Sequence, residues 1–242
     1  MRGIGVVPIS RQGGTLGAAA TSGWWDNNGA IAGCIAAYQP KGAASYAASK
    51  INLANPGTHN LVDGAAWPAW AAGTGWTFAG AGPNQWLDSV TLFPDTTAQA
   101  WSLACQFANG VFVGGTGWYC PVGSYDFPGG SQRFYVFPAK VGLQHRYGNT
   151  DHLSLGVQIA NGNMIVAGRN GYLNGVLEAG IMPAVVGAVS TVSLSIGAMH
   201  DAAVAPPGMT HFFQGDVIAV SVYTATLTAP EVATVSAAMA AL

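Results

Sequence analysis

Three segments of this sequence alternate apolar residues with small or polar ones, and this period of two constrains the fold more than any other feature. The segments are Trp101 to Ala108, Leu153 to Ile159 and Val192 to Ile196. In an extended chain, successive side chains point to opposite faces, so each alternating segment predicts a strand with one buried face.

Turn signals follow the strand-like segments. Asn-Gly pairs occur at Asn161-Gly162, Asn170-Gly171 and Asn174-Gly175. Both central residues of a type I′ turn need positive φ, which Asn and Gly adopt readily, so we expect hairpin turns there. The first pair predicts a hairpin between the strand that ends at Ile159 and one that begins near Met164. Many strands with frequent turns predict an antiparallel sandwich.

The C-terminal segment contains a strand, a turn and a helix start in unbroken order. Val217 to Tyr223 is apolar on both faces, which favours a strand buried on both sides. Thr228 is a good N-cap, Pro230 falls in the first turn, and Glu231 lies three residues after the cap. We therefore expect the chain to end in a short helix. A second short helix is expected within Ala43 to Ala54, which contains good helix formers.

Several short motifs resemble the opening and closing strands of concanavalin A-like, laminin G-like jelly-roll domains. The motifs are Ile35-Ala36-Ala37-Tyr38, Gly75 to Gly80, Gln85-Trp86-Leu87, Gly215-Asp216, Tyr223 and Leu227-Thr228-x-x-Glu231-Val232. The resemblance implies an all-β, antiparallel two-sheet jelly-roll sandwich with a short C-terminal helix. It also implies that the last strand lies beside the first. It spans roughly residues 33–242, so we assign the sandwich domain to residues 31–242.

Residues 1–30 form a Gly/Ala-rich N-terminal segment that ends in Trp24-Trp25. Glycine-rich segments lack the side chains to form a core alone. A flexible tail is one interpretation, but two adjacent indoles require burial. We expect an arm in which Trp24 and Trp25 lie on the domain or on a neighbouring subunit and serve assembly.

Charged residues make up only 7% of the chain and hydrophobic residues 50%, whereas charged residues usually account for about 25%. This leaves little ionic surface for a free monomer. We therefore expect identical subunits, or other proteins of a large assembly, to cover much of the surface.

The same composition argues against two other classes of partner. The formal net charge is −2 and the eight Lys and Arg residues are scattered, so the basic cluster that binds phosphate backbones is missing. No segment approaches the ~20 apolar residues of a membrane helix. We predict neither nucleic-acid binding nor membrane insertion.

Catalytic motifs are absent from the sequence. The glucanases that share the resembled fold use two carboxylates about 5 Å apart, in Glu-x-Asp-x-x-Glu spacing on one strand. This chain has only Glu178 and Glu231, far apart, and its Asp residues occur singly. No His-Glu-x-x-His, Gly-x-Ser-x-Gly or phosphate-loop motif is present either. We therefore predict that the protein is not an enzyme.

Aromatic residues provide the sharpest candidates for a binding site, because sugar rings stack on aromatic rings. The candidates lie in Gly/Pro-rich segments and are Trp67, Trp70, Trp118, Tyr119 and Tyr125. Burial under loops or in a subunit contact is the alternative for all five. Trp76, Trp86 and Trp101 lie in strand-like segments and are expected in the core.

A rim Ca²⁺ site is implied by the laminin G-like resemblance. Asn149 and Asp151 would supply oxygen ligands, which a hard cation prefers. Turn residues that bond their own backbone are the alternative, and no other cofactor is expected. Three cysteines, Cys34, Cys105 and Cys120, lack metal-site spacing and are expected to be buried thiols, with one disulfide as the alternative.

The sequence thus predicts a non-enzymatic structural or surface protein. With no signal peptide visible, the resemblance suggests the surface of a bacteriophage virion, as a capsid decoration protein or tail-fibre component whose outer loops recognise glycans. A secreted, extracellular carbohydrate-binding lectin is the first alternative. A glycoside-cleaving enzyme with a nonstandard site is the second.

Overall fold

A computed structural model describes most of the chain from residue 23 onwards. The described backbone covers residues 23–80, 84–90, 96–97, 101–111, 120–125, 133–139, 142–148, 150–153, 159–168, 170–178, 188–189, 193–201 and 208–242. Side chains are described for the same residues except 96–97, 124–125, 133–139, 142–148, 150–153, 188–189, 200–201 and 210.

The described residues are mainly β-strand. In chain order the elements are β1 (Cys34–Tyr38), α1 (Tyr46–Ser49), β2 (Val62–Asp63), β3 (Ala69–Ala71), β4 (Gly75–Ala79), β5 (Leu87–Asp88), β6 (Thr96–Thr97), β7 (Ser102–Ala108), β8 (Val122–Tyr125), β9 (Arg133–Ala139), β10 (Gly142–Gly148), β11 (Thr150–Leu153), β12 (Gly162–Ala167), β13 (Asn170–Leu173), β14 (Val176–Leu177), β15 (Ala188–Val189), β16 (Ser195–Ile196), β17 (Met199–Asp201), β18 (Gly208–Thr210), β19 (Gln214–Tyr223) and α2 (Ala229–Ala240).

The strands form two large antiparallel sheets. In the described residues, the larger sheet has the order β14-β13-β12-β7-β19-β4-β3, and β1 also pairs with β19. The smaller sheet has the order β11-β10-β9-β8-β16-β5-β2. β6 pairs with β15, and β17 with β18, as separate ribbons. This architecture confirms the predicted antiparallel sandwich with a short C-terminal helix.

β19 is the strand around which the larger sheet is arranged. β7 pairs with it from Asp216 to Tyr223, while β4 pairs with its first half and β1 with its second half. The pairing of Ala36 with Val222 confirms that the last strand lies beside the first. Every residue of β19 from Gly215 to Tyr223 is buried, as its continuous apolar sequence predicts.

Two hydrophobic clusters cover opposite faces of the larger sheet. The first fills the space between the sheets and combines side chains such as Trp76 and Phe107 from the larger sheet with Leu87 and Ile196 from the smaller one. The second contains side chains from β7, β12, β13 and β19, together with Ile31 and the buried face of α2. The larger sheet is therefore a middle layer, and β7 is buried on both faces rather than on the predicted single face.

The helix α2 begins as the sequence predicts. Thr228 precedes it in an extended conformation, and the Glu231 carboxylate accepts a hydrogen bond from the Thr228 backbone N–H at 2.7 Å. Val232, Val235 and Met239 face the larger sheet and are buried. Neither described helix is long and apolar enough to cross a bilayer. The helix predicted within residues 43–54 is shorter than expected, with a single turn over Tyr46–Ser49.

The three Asn-Gly pairs, at each of which the sequence predicts a turn, differ in the structure. Asn174 and Gly175 both have positive φ, 50° and 80°, and connect β13 to β14 as predicted. Asn170-Gly171 instead lies within β13, because the connection between Ala167 and Asn170 falls two residues earlier and includes Gly168 at φ 54°. The first strand of the hairpin predicted at Asn161-Gly162 includes residues 154–158, which lie outside the described part of the chain.

The three thiols are free, and Cys105 and Cys120 are fully buried. Burial raises the pKa of both of these thiols, because a thiolate loses its solvation in an apolar interior. They contribute to packing as small apolar side chains.

Two glycines provide a test of this arrangement: Gly73 in the β3–β4 turn and Gly75 at the end of that turn, where β4 begins. Gly75 has φ +93°, and a Cβ on it would lie 2.4 Å from the Val217 carbonyl oxygen of β19. We predict that Gly75→Ala lowers the free energy of unfolding by about 2 kcal/mol or more, because it adds backbone strain to a steric clash. The melting temperature should fall by roughly 4–8 °C.

Gly73→Ala is the matched control. It lies two residues earlier in the same turn, and a Cβ there would have no atom within 4 Å. Thermal unfolding followed by circular dichroism should show a melting temperature close to that of the original chain. Equal melting temperatures for the two variants would contradict the described approach of β4 to β19.

Candidate functional site

A cleft of about 430 Å³ opens at the β2 edge of the smaller sheet, and we call it the aromatic cleft. Its lining residues are Val62, Asp63, Gly64, Trp86, Asp88, Val90 and Ser193. They come together because β2 pairs with β5 and β5 pairs with β16, which follows Ser193. Three segments that are distant in sequence thus supply one indole, two carboxylates and one hydroxyl.

Asp63 is held by two donors from the α1 region. Lys50 Nζ donates to its Oδ2 at 2.8 Å, and the Tyr46 hydroxyl donates to its Oδ1. Lys50 Nζ also lies 4.5 Å from the centroid of the Tyr46 ring. Partial burial alone raises the pKa of Asp63, but the hydrogen bonds from Lys50 and Tyr46 and the Lys50 charge outweigh it, so the pKa lies below its usual value. Asp63 is therefore ionised at neutral pH.

Tyr46 responds in the opposite direction. Burial, followed by the hydrogen bond and the negative charge of Asp63, raises the pKa of its hydroxyl. Tyr46 therefore stays protonated and keeps donating to Asp63. The hydrogen bond from the Tyr46 hydroxyl to the Asp63 carboxylate therefore persists at any pH at which the protein is folded and Asp63 is ionised.

Asp88 is fixed by different partners. Its Oδ1 accepts from the Val90 backbone N–H at 2.7 Å, and its Oδ2 accepts from Ser193 Oγ at 2.9 Å. Val90 itself has φ +45°, a strained conformation for a β-branched residue. Next to it, Ser89 and Leu194 exchange two hydrogen bonds, Ser89 N–H to Leu194 O at 3.0 Å and Leu194 N–H to Ser89 Oγ at 2.9 Å. Asp88 is thus held in one orientation.

Trp86 provides the aromatic surface of the cleft. Its indole lies flat against Gly64, where an added Cβ would be only 2.1 Å from the ring. Its backbone carbonyl accepts from Gly64 N–H at 2.9 Å, and its ring centroid lies 6.4 Å from that of Phe212. Trp86 is half-buried. The prediction that it belongs to the core is therefore wrong, whereas Trp76 and Trp101 are in the core as expected.

The loop between α1 and β2 is organised by Asn52, which is fully buried. Its Oδ1 accepts from Ala37 N–H at 3.0 Å, and its Nδ2 donates to the carbonyls of Ile35 and Thr58 at 2.9 and 3.0 Å. Lys50 O then accepts from Leu61 N–H at 2.9 Å. Asn52 therefore ties β1 to the segment that carries Lys50 and leads into Asp63.

Two of the aromatic residues predicted from the sequence lie on the chain segment beside the cleft. Trp67 is 65% exposed, and its carbonyl accepts from Gln85 Nε2 at 2.8 Å, next to Trp86. Trp70 lies on β3, packs against the sandwich core and donates through Nε1 to Pro40 O at 2.9 Å. Trp67 is therefore a free aromatic surface, and Trp70 is held in place by its neighbours.

The other predicted candidates are only partly described. Trp118, Tyr119 and Asn149 lie outside the described residues. Tyr125 ends β8 and Asp151 lies in β11, and only their backbone is described. Among the side chains that are described, no three His, Cys, Asp or Glu residues come together as a metal site.

Trp24 packs against the second hydrophobic cluster, on the face of the larger sheet that points away from the smaller sheet. Trp25 is 6% exposed, and its carbonyl accepts from the Tyr223 hydroxyl at 2.7 Å. The two indoles meet edge to face at 5.8 Å. These contacts attach the segment that begins at residue 23 to β19 of the same chain.

The residues that sequence reasoning missed are Tyr46, Lys50, Asp63 and Asp88. Asp63 and Asp88 lie 25 positions apart in two-residue strands that have no periodicity, and neither belongs to a motif. The sequence signal that points to this site is a Trp and an Asp two positions apart in Gln85-Trp86-Leu87-Asp88. It indicates a polar, half-exposed strand end rather than core.

Comparison with known proteins supports the fold. No protein-family model matches the chain, and no curated protein matches it significantly. A Trypanosoma rangeli sialidase in complex with sialic acid is similar in structure, with a TM-score of 0.56 and 13% identity over 85% of this chain and 33% of that one. The same enzyme with 2,3-difluorosialic acid, described as a covalent intermediate, gives 0.53 and 15% over 96% and 35%.

The chain therefore spans about a third of the length of the sialidases that it matches. Domain 4 of AbnA, a GH43 extracellular arabinanase from Geobacillus stearothermophilus solved with arabinotriose, is similar over 84% of this chain and 98% of its own, at 12% identity and a TM-score of 0.48. That score is too low to support an inference. At the identities of the sialidases, the likeness shows a shared β-sandwich fold.

The prediction that the protein is not an enzyme is contradicted by this likeness to sialidases. It depended on the absence of the Glu-x-Asp-x-x-Glu motif and other motifs. A missing motif excludes only one spacing of the two carboxylates, and glycoside hydrolases also use other spacings.

The electrostatics of Asp63 can be tested directly. We predict that Asp63 titrates below the usual aspartate value of about 3.9 and that Lys50→Met raises its pKa, because the variant removes a hydrogen bond and a positive charge. Because the folded-state pKa is lowered, the interaction stabilises the protein above the unfolded-state value and is lost as the pH falls through the folded one. Carboxyl carbon chemical shifts measured by NMR across pH 2–6 report the titration.

Lys41→Met is the control for this titration. Lys41 precedes the α1 region and does not bond Asp63 in the structure. The pKa of Asp63 should not respond to it. A pKa of Asp63 that is unchanged in Lys50→Met would contradict the described ion pair.

Proposed function

We propose that the protein recognises glycans through the aromatic cleft. The observation that carries this proposal is one half-buried indole, Trp86, in a cleft of about 430 Å³ with two carboxylates held in fixed orientations. Sugars combine apolar ring faces with hydroxyl donors, so an aromatic face and aligned acceptors match both parts of their surface. The volume is in the range of small-molecule sites.

The fixed geometry of the cleft supports the same proposal. Asp88 and Asp63 each have donors on both oxygens, so little side-chain entropy remains to be lost when a ligand binds. Each ionised carboxylate still has unused lone pairs for sugar hydroxyls. Trp67, exposed on the adjoining segment, offers a second ring for a longer oligosaccharide.

Hydrolysis of a glycosidic bond at the same cleft is a second candidate. The observation that favours it is that two Asp residues border one cleft, because glycoside hydrolases commonly use two carboxylates. Asp88 pairs with Val62 and Asp63 with Leu87, so the two carboxylates approach the cleft from opposite faces of the β2–β5 pair. Asp63, ionised through Lys50 and Tyr46, has the charge state of a base or nucleophile. Membership of the laminin G-like group, a virion location and association with other subunits remain predictions from the sequence.

Glycan binding is tested with an array followed by calorimetric titration of the strongest ligands. We expect Trp86→Leu to weaken binding at least about tenfold, which corresponds to about 1.4 kcal/mol, because leucine keeps an apolar contact with Phe212 but offers no flat ring. Gly64→Ala should weaken binding as well, since its Cβ displaces the indole.

Val176→Ala is the control for the binding experiment. Val176 is 67% exposed on β14, at the far edge of the larger sheet. It should leave the affinity unchanged. Unfolded variants are identified by circular dichroism. A folded Trp86→Leu protein with full affinity would refute a site in this cleft.

Hydrolysis is tested on the glycans that bind. We expect new reducing ends to appear on incubation if the cleft is catalytic, and Asp88→Asn should abolish their release because it removes one of the two carboxylates. Glu178→Gln, which removes a charge outside the cleft, is the control. Binding without any release of reducing ends would leave recognition as the function and remove hydrolysis.

A further inference from the structure

We infer that the aromatic cleft selects sugars that carry no negative charge and rejects sugars with a carboxylate, such as sialic and uronic acids. This inference rests on the proposed function and names its ligand class. It follows from the balance of charges and of hydrogen-bond donors around the cleft.

The charges at the cleft are predominantly negative. Two carboxylates, Asp63 and Asp88, line it, and none of the described residues that line it is Lys, Arg or His. The nearby cation, Lys50, bonds Asp63 Oδ2 at 2.8 Å and lies over the Tyr46 ring. One positive charge thus offsets one of the two carboxylates, and Asp88 has only neutral donors among its hydrogen-bond partners in the described residues.

Three donors beside the cleft are already engaged. Ser193 Oγ donates to Asp88, the Tyr46 hydroxyl donates to Asp63, and the Val90 N–H donates to Asp88. An ionised carboxylate can only accept hydrogen bonds. Sugar hydroxyls can donate to Asp63 and Asp88, whereas a ligand carboxylate has nothing to donate and meets two acceptors of its own charge.

Desolvation strengthens the selection. A ligand carboxylate that binds in this open, mainly apolar cleft loses part of its water without gaining a cation from the described lining residues, and like charges nearby raise the cost further. Recognition of a carboxylate usually depends on the paired donors of Arg, and no Arg is among the described residues that line this cleft. The fold is similar to that of sialidases, but the chemistry of the aromatic cleft differs from that of an anion site.

The test compares matched glycans on one array, each neutral oligosaccharide beside the same oligosaccharide with a terminal sialic acid or a uronic acid. We expect the neutral member to bind at least about tenfold more tightly at low ionic strength. The preference should decrease at 1 M salt, where the screening length falls to about 3 Å.

Two variants should change the preference in opposite directions. Asp88→Asn keeps the side-chain shape and removes one negative charge, so the ratio of neutral to acidic affinity should fall severalfold. Lys50→Met leaves Asp63 uncompensated, so the ratio should rise. Glu178→Gln removes a charge outside the cleft and should leave the ratio unchanged.

The outcomes separate this inference from the proposed function. Binding of neutral and acidic members with equal affinity, or tighter binding of the acidic ones, overturns the inference and leaves glycan recognition standing. No binding to any glycan overturns both. If the ratio of neutral to acidic affinity is the same in Asp88→Asn, Lys50→Met and the original chain, the selection does not arise in this cleft. If Asp88→Asn does not fold, the ratio measured for Lys50→Met decides alone.

Discussion

The burial of β19 on both faces is the constraint on which the rest of the structure depends. One face contributes Val217, Val220 and Val222 to the core between the sheets, and the other contributes Ala219 and Tyr223 to the layer beneath α2. A strand in this position needs partners along its whole length. Because β1 and β4 share one side of it and β7 takes the other, the N-terminal, central and C-terminal parts of the chain are fixed relative to one another.

The buried side chain of Asp216 shows how closely that strand is surrounded. Asp216 is 6% exposed, and its carboxylate accepts from Thr77 Oγ1 at 2.5 Å and from Asn109 Nδ2 at 2.6 Å. Thr77 lies on β4 and Asn109 directly follows β7, so the hydrogen bonds of this carboxyl group form only when both neighbours of β19 are in place. The beginning of β19 is thereby specified by polar contacts as well as by packing.

The aromatic cleft lies where this order ends. β2 and β5 have two residues each and β2 is the edge strand of the smaller sheet, so Val62, Asp63 and Asp88 stay partly exposed while Leu87 reaches the core. A short edge strand cannot bury a full apolar face, which leaves Trp86 half-exposed and keeps Asp63 and Asp88 in contact with solvent. Buried Asn52 compensates by fixing the preceding loop. The cleft thus combines an apolar surface with two fixed carboxylates at the edge of a large apolar core, which is the basis of the proposal that it recognises a ligand with both ring faces and hydroxyls.

The sequence alone determined the elements whose information is local. The apolar run of β19, the Thr228 and Glu231 helix start, and the turn at Asn174-Gly175 are each specified by a few consecutive residues, and all three are confirmed. The burial of β7 on both faces was not determined by the sequence, because one face is covered by a helix more than 100 residues later. The position of the turn after β12 was not determined either, because it depends on the register of β12 against β7. The candidate site depended on tertiary structure most of all. Trp86 and Asp63 acquire their roles only when β2 pairs with β5 and Lys50 reaches across from α1, and hydrogen bonds between segments so distant in sequence leave no periodicity or motif in the chain.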